Sequence, residues 1–313
     1  MKPKISLSTC WCSQRHQDGY AMACEMRDLG FDRIELSHGI RLSLVPGILR
    51  AVEEEVVKIS SVHNFCPLPP GIHHAAPNIF TPSARDMREH QQWLRYTKAT
   101  IEFTAQLGAD RIVVHSGNLS FFWRSPGSRL KAYRKKHPGD AIRIDPEYRN
   151  LLEKVEKTLR KRMEPFVEQM VRSISMMLPI AAEHGVKLGL ENREGIEELP
   201  MDDTFPFVFN LLNDAREVGY WHDSGHAKIK EQMGFLNHEA HLRENIDRLI
   251  GFHLHDVSRD GHDHQQLGTG VVDFKMLKSF IRPEHTLVLE LSPRLRTAQV
   301  LDSKAFLEDL LAE

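Results

Sequence analysis

The chain of 313 residues carries 41 basic and 43 acidic side chains, which gives a formal net charge of −2. Its composition, 41% apolar and 27% charged, is that of an ordinary globular protein and excludes a chain that is mainly disordered. A charge this close to zero provides no overall field for nucleic acid or an anionic membrane, so neither is expected as a partner.

Signals for export or membrane insertion are absent from the sequence. The amino-terminal region has no apolar signal segment, and no apolar run reaches the ~18 residues that a transmembrane helix needs. Four cysteines in a chain of this length do not make a disulfide framework. These features predict a cytoplasmic protein, and they leave a homo-oligomer open.

Eight short segments rich in apolar and β-branched residues alternate with segments of helical periodicity. The predicted strands are Lys4–Ser8, Arg33–Ser37, Val57–His63, Arg111–His115, Val186–Glu191, Glu217–Asp223, Leu249–His255 and Leu287–Leu291. Gly30, Gly108 and Gly185 precede strands two, four and five, where the preceding helices should end.

This alternation predicts the fold class. Eight strand–helix units indicate a parallel sheet with right-handed crossovers, and eight strands are the number that closes a barrel. An open doubly wound sheet is the alternative, but no glycine-rich phosphate loop follows the first strand. We therefore predict an α/β protein with a single (β/α)8 TIM barrel over residues 1–313.

One long segment, residues 118–164, interrupts the alternation between strand four and a helix predicted to begin near Pro165. It contains the aromatic run Phe121–Trp123, many basic residues and a predicted helix over Arg149–Met163. Because it leaves the C-terminal end of a strand, we predict an insertion that overhangs the catalytic face as a lid or subunit contact. A nucleic-acid-binding segment and a plain solvated insertion are the alternatives.

Histidine is the most unusual residue in the composition. Eight of the 18 histidines lie between residues 222 and 264, far more than an even distribution would place there: His222, His226, His238, His241, His253, His255, His262 and His264. His238 and His241, three residues apart on a predicted helix, are expected on the surface. His222 is expected to have no role in a site.

Six consecutive predicted strands, the third to the eighth, end in imidazoles or carboxylates. These side chains are His63, His115, Glu191, Asp223, His253 with His255, and Glu290. TIM barrels place their chemistry at this rim, and such side chains are the ligands of divalent transition metals. Burying three carboxylates together without a cation would be too costly. The pattern therefore predicts a divalent metal site at the rim.

A series of short motifs resembles the xylose isomerase-like barrel superfamily, which includes sugar isomerases, epimerases and apurinic endonucleases. The motifs are IELS (34–37), SVH (61–63), VVHSG (113–117), LEN (190–192), DSGH (223–226), HLHD (253–256), DHQQLGTGVVD (263–273) and LELSP (289–293). Together they cover the chain from end to end, apart from the insertion.

The resemblance to tagatose 3-epimerase-like enzymes implies one divalent ion, often manganese. Its ligands would be Glu191, Asp223, His253 and Glu290. The resemblance also implies substrate contacts at His226 and Arg259, and His255 is a further candidate.

The resemblance to the endonucleases implies additional zinc ions. Their ligands would be His63 and His115 for one ion, and His226 and His264 for another. An aspartate expected at the third site falls at His262, with Asp263 one place away. The predicted cofactor is thus one to three manganese or zinc ions.

The favoured function is a metal-dependent isomerase or epimerase of a sugar or sugar phosphate. In it, Glu191 and Glu290 act as the catalytic carboxylates and move the proton next to a carbonyl through an enediolate. Two alternatives stay open: a multinuclear zinc phosphodiesterase in which Glu191 bridges two ions, and a non-catalytic, metal-stabilised binding barrel. The net charge of −2 argues against DNA as the substrate.

Overall fold

The computed structural model describes residues 4–122, 124–137 and 140–312, so Trp123 lies outside the described residues. Eight parallel strands form a closed barrel in the order of the chain. They are β1 (Ile5–Ser8), β2 (Arg33–Leu36), β3 (Lys58–His63), β4 (Arg111–Val114), β5 (Lys187–Glu191), β6 (Val218–Asp223), β7 (Leu249–Leu254) and β8 (Thr286–Leu289). The barrel closes where Ile5 pairs with Leu287. The predicted TIM barrel is confirmed, and each predicted strand ends within two residues of the observed one.

Helices surround the barrel. Those in the described residues are α1 (Gly19–Asp28), α2 (Val45–Glu53), α3 (Met87–Gln106), α4 (Gly127–Lys136), α5 (Pro146–His184), α6 (Phe205–Leu211), α7 (Ser224–Met233), α8 (His238–Glu244), α9 (Phe274–Lys278) and α10 (Thr297–Ala312). None of these helices is both long and apolar enough to span a membrane. Gly30, Gly108 and Gly185 have φ angles of 81°, 69° and 66°, which confirms that they follow helix ends.

Helix α5 differs from the prediction. The prediction of a helix that begins near Pro165 is wrong, because α5 runs without a break from Pro146 to His184 and contains Pro165 in its interior. Asp145 caps its first turn by accepting a hydrogen bond from the Glu147 N–H at 2.8 Å. Pro146 suits the first position because that turn needs no N–H donor there. The helix therefore covers the second half of the segment that was predicted as an insertion.

An apolar cluster fills the barrel interior below the rim at the carboxyl ends of the strands. Val113, Trp221 and Val288 are fully buried together. The Trp221 ring fits because Gly251 has no side chain: a Cβ there would lie 2.3 Å from the ring. Trp221 also makes an edge contact with His253, with ring centroids 5.3 Å apart. It thus forms the floor on which the polar side chains of the rim are placed.

The segment between β4 and α5 is bonded to the turn that follows β5. The N–H groups of Leu119 and Gly127 donate to the backbone oxygen and the Oε1 of Glu197, each at 2.8 Å. Farther along, the Tyr148 hydroxyl donates to the Met233 carbonyl at the end of α7 at 2.9 Å. These contacts place the segment beside the turn after β5, and the start of α5 beside the end of α7.

Candidate metal centre

Four side chains from β5 to β8 form a compact cluster at the rim. They are Glu191, Asp223, His253 and Glu290, and their ligand atoms lie within 4.8 Å of one another. His253 Nδ1 is 2.7 Å from Glu191 Oε1, 3.2 Å from Glu290 Oε2 and 3.8 Å from Asp223 Oδ2. All four side chains are buried. The structure therefore brings together the set that was predicted for a single ion.

The donor set fits a divalent cation. Three carboxylates converge on one imidazole, and this combination of oxygen and nitrogen ligands suits manganese or zinc. Burial, together with the charges of Glu191 and Glu35, raises the pKa of Glu290 to about 8, and His253 opposes this shift. The cluster thus has an excess of negative charge that a divalent ion would balance.

The far side of His253 is held by Glu35, a residue that the sequence analysis missed. His253 Nε2 lies 3.0 Å from Glu35 Oε2, and the Ser61 hydroxyl donates to the same oxygen at 2.8 Å. Metal-binding histidines commonly donate their second N–H to a carboxylate, which fixes the ring and raises its basicity. The signal was present in the sequence as a lone carboxylate in the IELS motif of β2.

The Asp223 side chain both caps helix α7 and belongs to the cluster at the rim. Its Oδ1 accepts from the His226 N–H at 2.7 Å and so caps α7, while Oδ2 lies 3.0 Å from His255 Nε2. Asn192 holds the backbone of Asp223 from both sides, accepting from its N–H at 2.7 Å and donating to its carbonyl at 3.0 Å. His255 is fully buried behind Asp223, so it contacts a candidate ligand rather than the open cavity.

Arg193 is the second residue that the sequence analysis missed. Its guanidinium donates to Glu191 Oε2, and His115 Nε2 lies 3.1 Å from the same oxygen. On its other side Arg193 Nε donates to Glu198 Oε1 at 3.1 Å. Burial opposes ionisation of Glu191, but Arg193, followed by His115 and His253, lowers its pKa well below the usual range.

A row of three imidazoles extends from this point along the rim. His63 lies between His38 and His115, with ring centroids 4.7 Å away on each side. Burial lowers the pKa of all three, that of His38 to about 3, so they are neutral near pH 7. Ligand atoms of His63, His115 and Glu191 lie within 4.8 Å of one another, as the multinuclear hypothesis requires.

A third group of possible ligands consists of His226, Asp263 and His264. The Nδ1 atoms of the two histidines bond to the carbonyls of Asn192 at 3.0 Å and Glu290 at 2.8 Å, which leaves each Nε2 available. Asp263, and not His262, thus lies with His226 and His264 in this group, and a metal ion held there stays a prediction.

A cavity of about 620 Å³ opens beside the centre. Its lining includes Cys10, Ser37, His38, His264, Glu290 and Arg294. No described residue of 118–164 lines this cavity, so the lid role of that segment stays a prediction. Arg259 is exposed in the loop after β7 and is also absent from the lining, so its contact with substrate stays a prediction as well.

The expectation that His238 and His241 lie on the surface is wrong, because both are buried. The Tyr220 hydroxyl lies 2.7 Å from His241 Nε2 and 2.8 Å from His222 Nδ1. His222 Nε2 in turn lies 2.8 Å from His238 Nε2. Tyr220 also donates to the Asn192 amide oxygen at 3.1 Å, so this network supports the side chain that holds Asp223.

This network predicts a loss of stability in acid. Burial lowers the pKa of His238 to about 4. In the unfolded chain this imidazole binds its proton at pH ~6.5, whereas in the folded chain it stays neutral down to about pH 4. The free energy of unfolding therefore has its full value above pH ~6.5 and decreases by about 3 kcal/mol as the pH falls to 4. We would measure the free energy of unfolding in urea at pH 7.5 and at pH 4. Its decrease between the two pH values should be smaller in the His238→Gln variant than in the wild type by about 3 kcal/mol. The exposed His74→Gln variant is the control, and equal losses in all three proteins would contradict the prediction.

The fold agrees with the comparison to known families. The sequence model of the xylose isomerase-like TIM barrel family matches residues 25–310, and the chain belongs to this family. The resemblance found in the motifs is thereby confirmed. No curated protein sequence matches the chain.

Solved structures share the fold at low sequence identity. A D-tagatose 3-epimerase-like protein is 17% identical, with a TM-score of 0.67 and coverage of 100% of this chain and 97% of its own. The 3-keto-D-glucoside 4-epimerase YcjR from E. coli is 17% identical, with a TM-score of 0.67 and coverage of 98% and 100%. The IOLI protein, solved with a zinc atom, is 16% identical, with a TM-score of 0.64 and coverage of 100% and 98%.

Proposed function

We propose that the protein is a divalent-metal-dependent isomerase or epimerase of a small sugar. The observation that carries the proposal is the placement of two carboxylates around one point of the rim. Glu191 Oε1 and Glu290 Oε2, from β5 and β8, both face His253 Nδ1, at 2.7 and 3.2 Å. Two carboxylates on either side of a bound substrate provide a proton acceptor and a proton donor. The fold that the chain shares with sugar epimerases supports the same class of reaction.

The proposed chemistry uses the side chains as follows. One carboxylate removes the proton from the carbon next to the substrate carbonyl, and the enediolate regains a proton from the same or the opposite carboxylate. A divalent ion held by Glu191, Asp223, His253 and Glu290 would polarise the oxygens of the substrate and stabilise their negative charge. Of the three neutral imidazoles, that of His38 lines the cavity, where it suits a ligand with hydroxyl groups because it offers one donor and one acceptor.

The multinuclear phosphodiesterase is the second candidate, and the two additional groups of ligands favour it. Arg193 argues against it. The guanidinium occupies Glu191 Oε2, the oxygen that would have to bridge to a second ion at His63 and His115. Two cations on one carboxylate oxygen would repel each other, so we propose a centre with a single ion.

Metal content and proton exchange test the proposal together. Protein loaded with manganese or zinc should contain about one ion per chain by elemental analysis. In deuterated water it should exchange the α-proton of at least one ketose in a panel, as followed by NMR, and chelation of the metal should abolish exchange. Two or three zinc ions per chain with cleavage of an abasic-site duplex would support the phosphodiesterase instead. Tight binding of a sugar without any exchange would indicate a binding protein.

A further inference from the structure

A groove on the outer face of the barrel lies between the segment after β4 and helix α5. It consists of two adjoining hollows of about 530 and 420 Å³, which share Phe121, Phe122 and Arg162. Each hollow is within the range of roughly 300–1,000 Å³ that is typical of small-molecule sites. No residue of the metal centre lines either hollow, so the groove is separate from the proposed active site.

The groove is strongly cationic. Six basic side chains line its two hollows: Arg85, Arg124, Arg129, Lys154, Lys161 and Arg162. Within the described part of the chain, no carboxylate lines either hollow and none of the six forms an ion pair. These six exposed cations give the groove a local positive charge in a protein whose net charge is −2. An anionic ligand is the partner that this charge would attract.

The sequence of α5 places two of these cations, Lys154 and Arg162, on one side of the helix. Leu151, Lys154, Thr158, Arg162 and Pro165 are spaced by three or four residues, so they lie on the same face of the helix, and all five line the groove. Arginine binds phosphate through paired N–H groups, and lysine binds it as a point charge. A helix face with both residue types suits a ligand with more than one phosphate.

Aromatic rings lie beside the cations. The guanidinium of Arg162 stacks on Phe121, with its central carbon 4.8 Å from the ring centroid, and the side chain of Phe122 is 92% exposed. Flat rings next to phosphate-binding cations are the combination with which proteins hold nucleotide bases and their phosphates. A free inorganic polyphosphate would make no use of the rings.

We propose that this groove binds a nucleoside di- or triphosphate, with its phosphates on the basic side chains and its base against Phe121 and Phe122. The concave shape and the bounded volumes favour such a ligand over a membrane surface or a strand of nucleic acid. This proposal does not depend on the reaction at the metal centre.

Calorimetric titration of the full-length, metal-loaded protein tests the site with three probes: MgATP, magnesium tripolyphosphate and a 20-nucleotide single-stranded DNA. MgATP should bind at least tenfold more tightly than tripolyphosphate, and the Phe121→Leu variant should lose this preference. Lys154→Ala and Arg162→Ala should each raise the dissociation constant for MgATP at least tenfold. Arg160→Ala is the matched control, because Arg160 lies on the same helix but pairs with Asp203 outside the groove. Its affinity should equal that of the wild type.

Several results would overturn the proposal. No binding of MgATP, or equal affinity for MgATP and tripolyphosphate, would exclude a nucleotide site. Binding that is insensitive to Lys154→Ala and Arg162→Ala would place the ligand elsewhere. An oligonucleotide that binds tenfold more tightly than MgATP would make the groove a nucleic-acid site. Far-ultraviolet circular dichroism spectra of the variants that match the wild-type spectrum exclude misfolding as the cause of lost binding.

Discussion

The Glu290→Gln variant is expected to lose metal-dependent exchange of the substrate α-proton by a factor of about 10³ or more. Glu290 is buried at the end of β8, and its Oε2 faces the same imidazole nitrogen as Glu191. The amide keeps the shape of the side chain but can neither accept the proton nor contribute charge to a cation. Loss of a general acid–base group alone costs a factor of about 10²–10⁴.

The measurement is the NMR rate of deuterium incorporation at equal metal content, verified by elemental analysis of each sample. Glu284→Gln provides the control, because Glu284 precedes the same strand at the opposite end of the barrel and is exposed. Its rate should equal that of the wild type. Exchange by the Glu290→Gln variant within threefold of the wild-type rate would mean that Glu290 is no catalytic residue.

Replacement of Arg193 by Met is expected to lower the stability of the protein and to raise the number of metal ions that it binds. The change removes the positive charge between Glu191 and Glu198, which are both bonded to the guanidinium. Breaking a buried ion pair by removing one partner typically costs about 3–5 kcal/mol. Glu191 Oε2 then becomes available beside His63 and His115, and the number of zinc ions bound per chain should rise from one towards two.

Arg193→Lys separates charge from geometry. Lysine keeps the positive charge but lacks the planar fork that reaches two carboxylates at once. This variant should retain one ion per chain and regain only part of the lost stability in urea unfolding. If Arg193→Met unfolds at the wild-type urea concentration and still binds one zinc ion, Arg193 neither holds Glu191 nor excludes a second metal ion.

The barrel could be predicted from the sequence because each strand is recognised from the residues of its own short segment. Strands such as Arg111–Val114 and Val218–Asp223 are short runs rich in apolar residues, and their order along the chain alone defines which strands are neighbours. The same order placed Glu191, Asp223, His253 and Glu290 at one rim before any contact was known.

The residues that escaped prediction depend on contacts between distant parts of the chain. Glu35 joins the site because β2 lies across the barrel from β7, and the pattern of strand ends began only at β3. His238 and His241 have an unremarkable helical spacing, but Tyr220 and His222 supply partners that allow their burial. The course of α5 through Pro165 likewise depends on packing that the local proline signal does not contain.

The bonding of the segment after β4 has a consequence for how this barrel can be modified. Glu197 accepts hydrogen bonds from Leu119 and Gly127, and the Leu199 N–H donates to the Gly117 carbonyl at 2.8 Å. The same short turn carries Arg193 and ends beside it at Glu198. The segment is therefore no detachable module. A graft that moved it to another barrel would have to carry the turn after β5, and with that turn the residue that fixes Glu191.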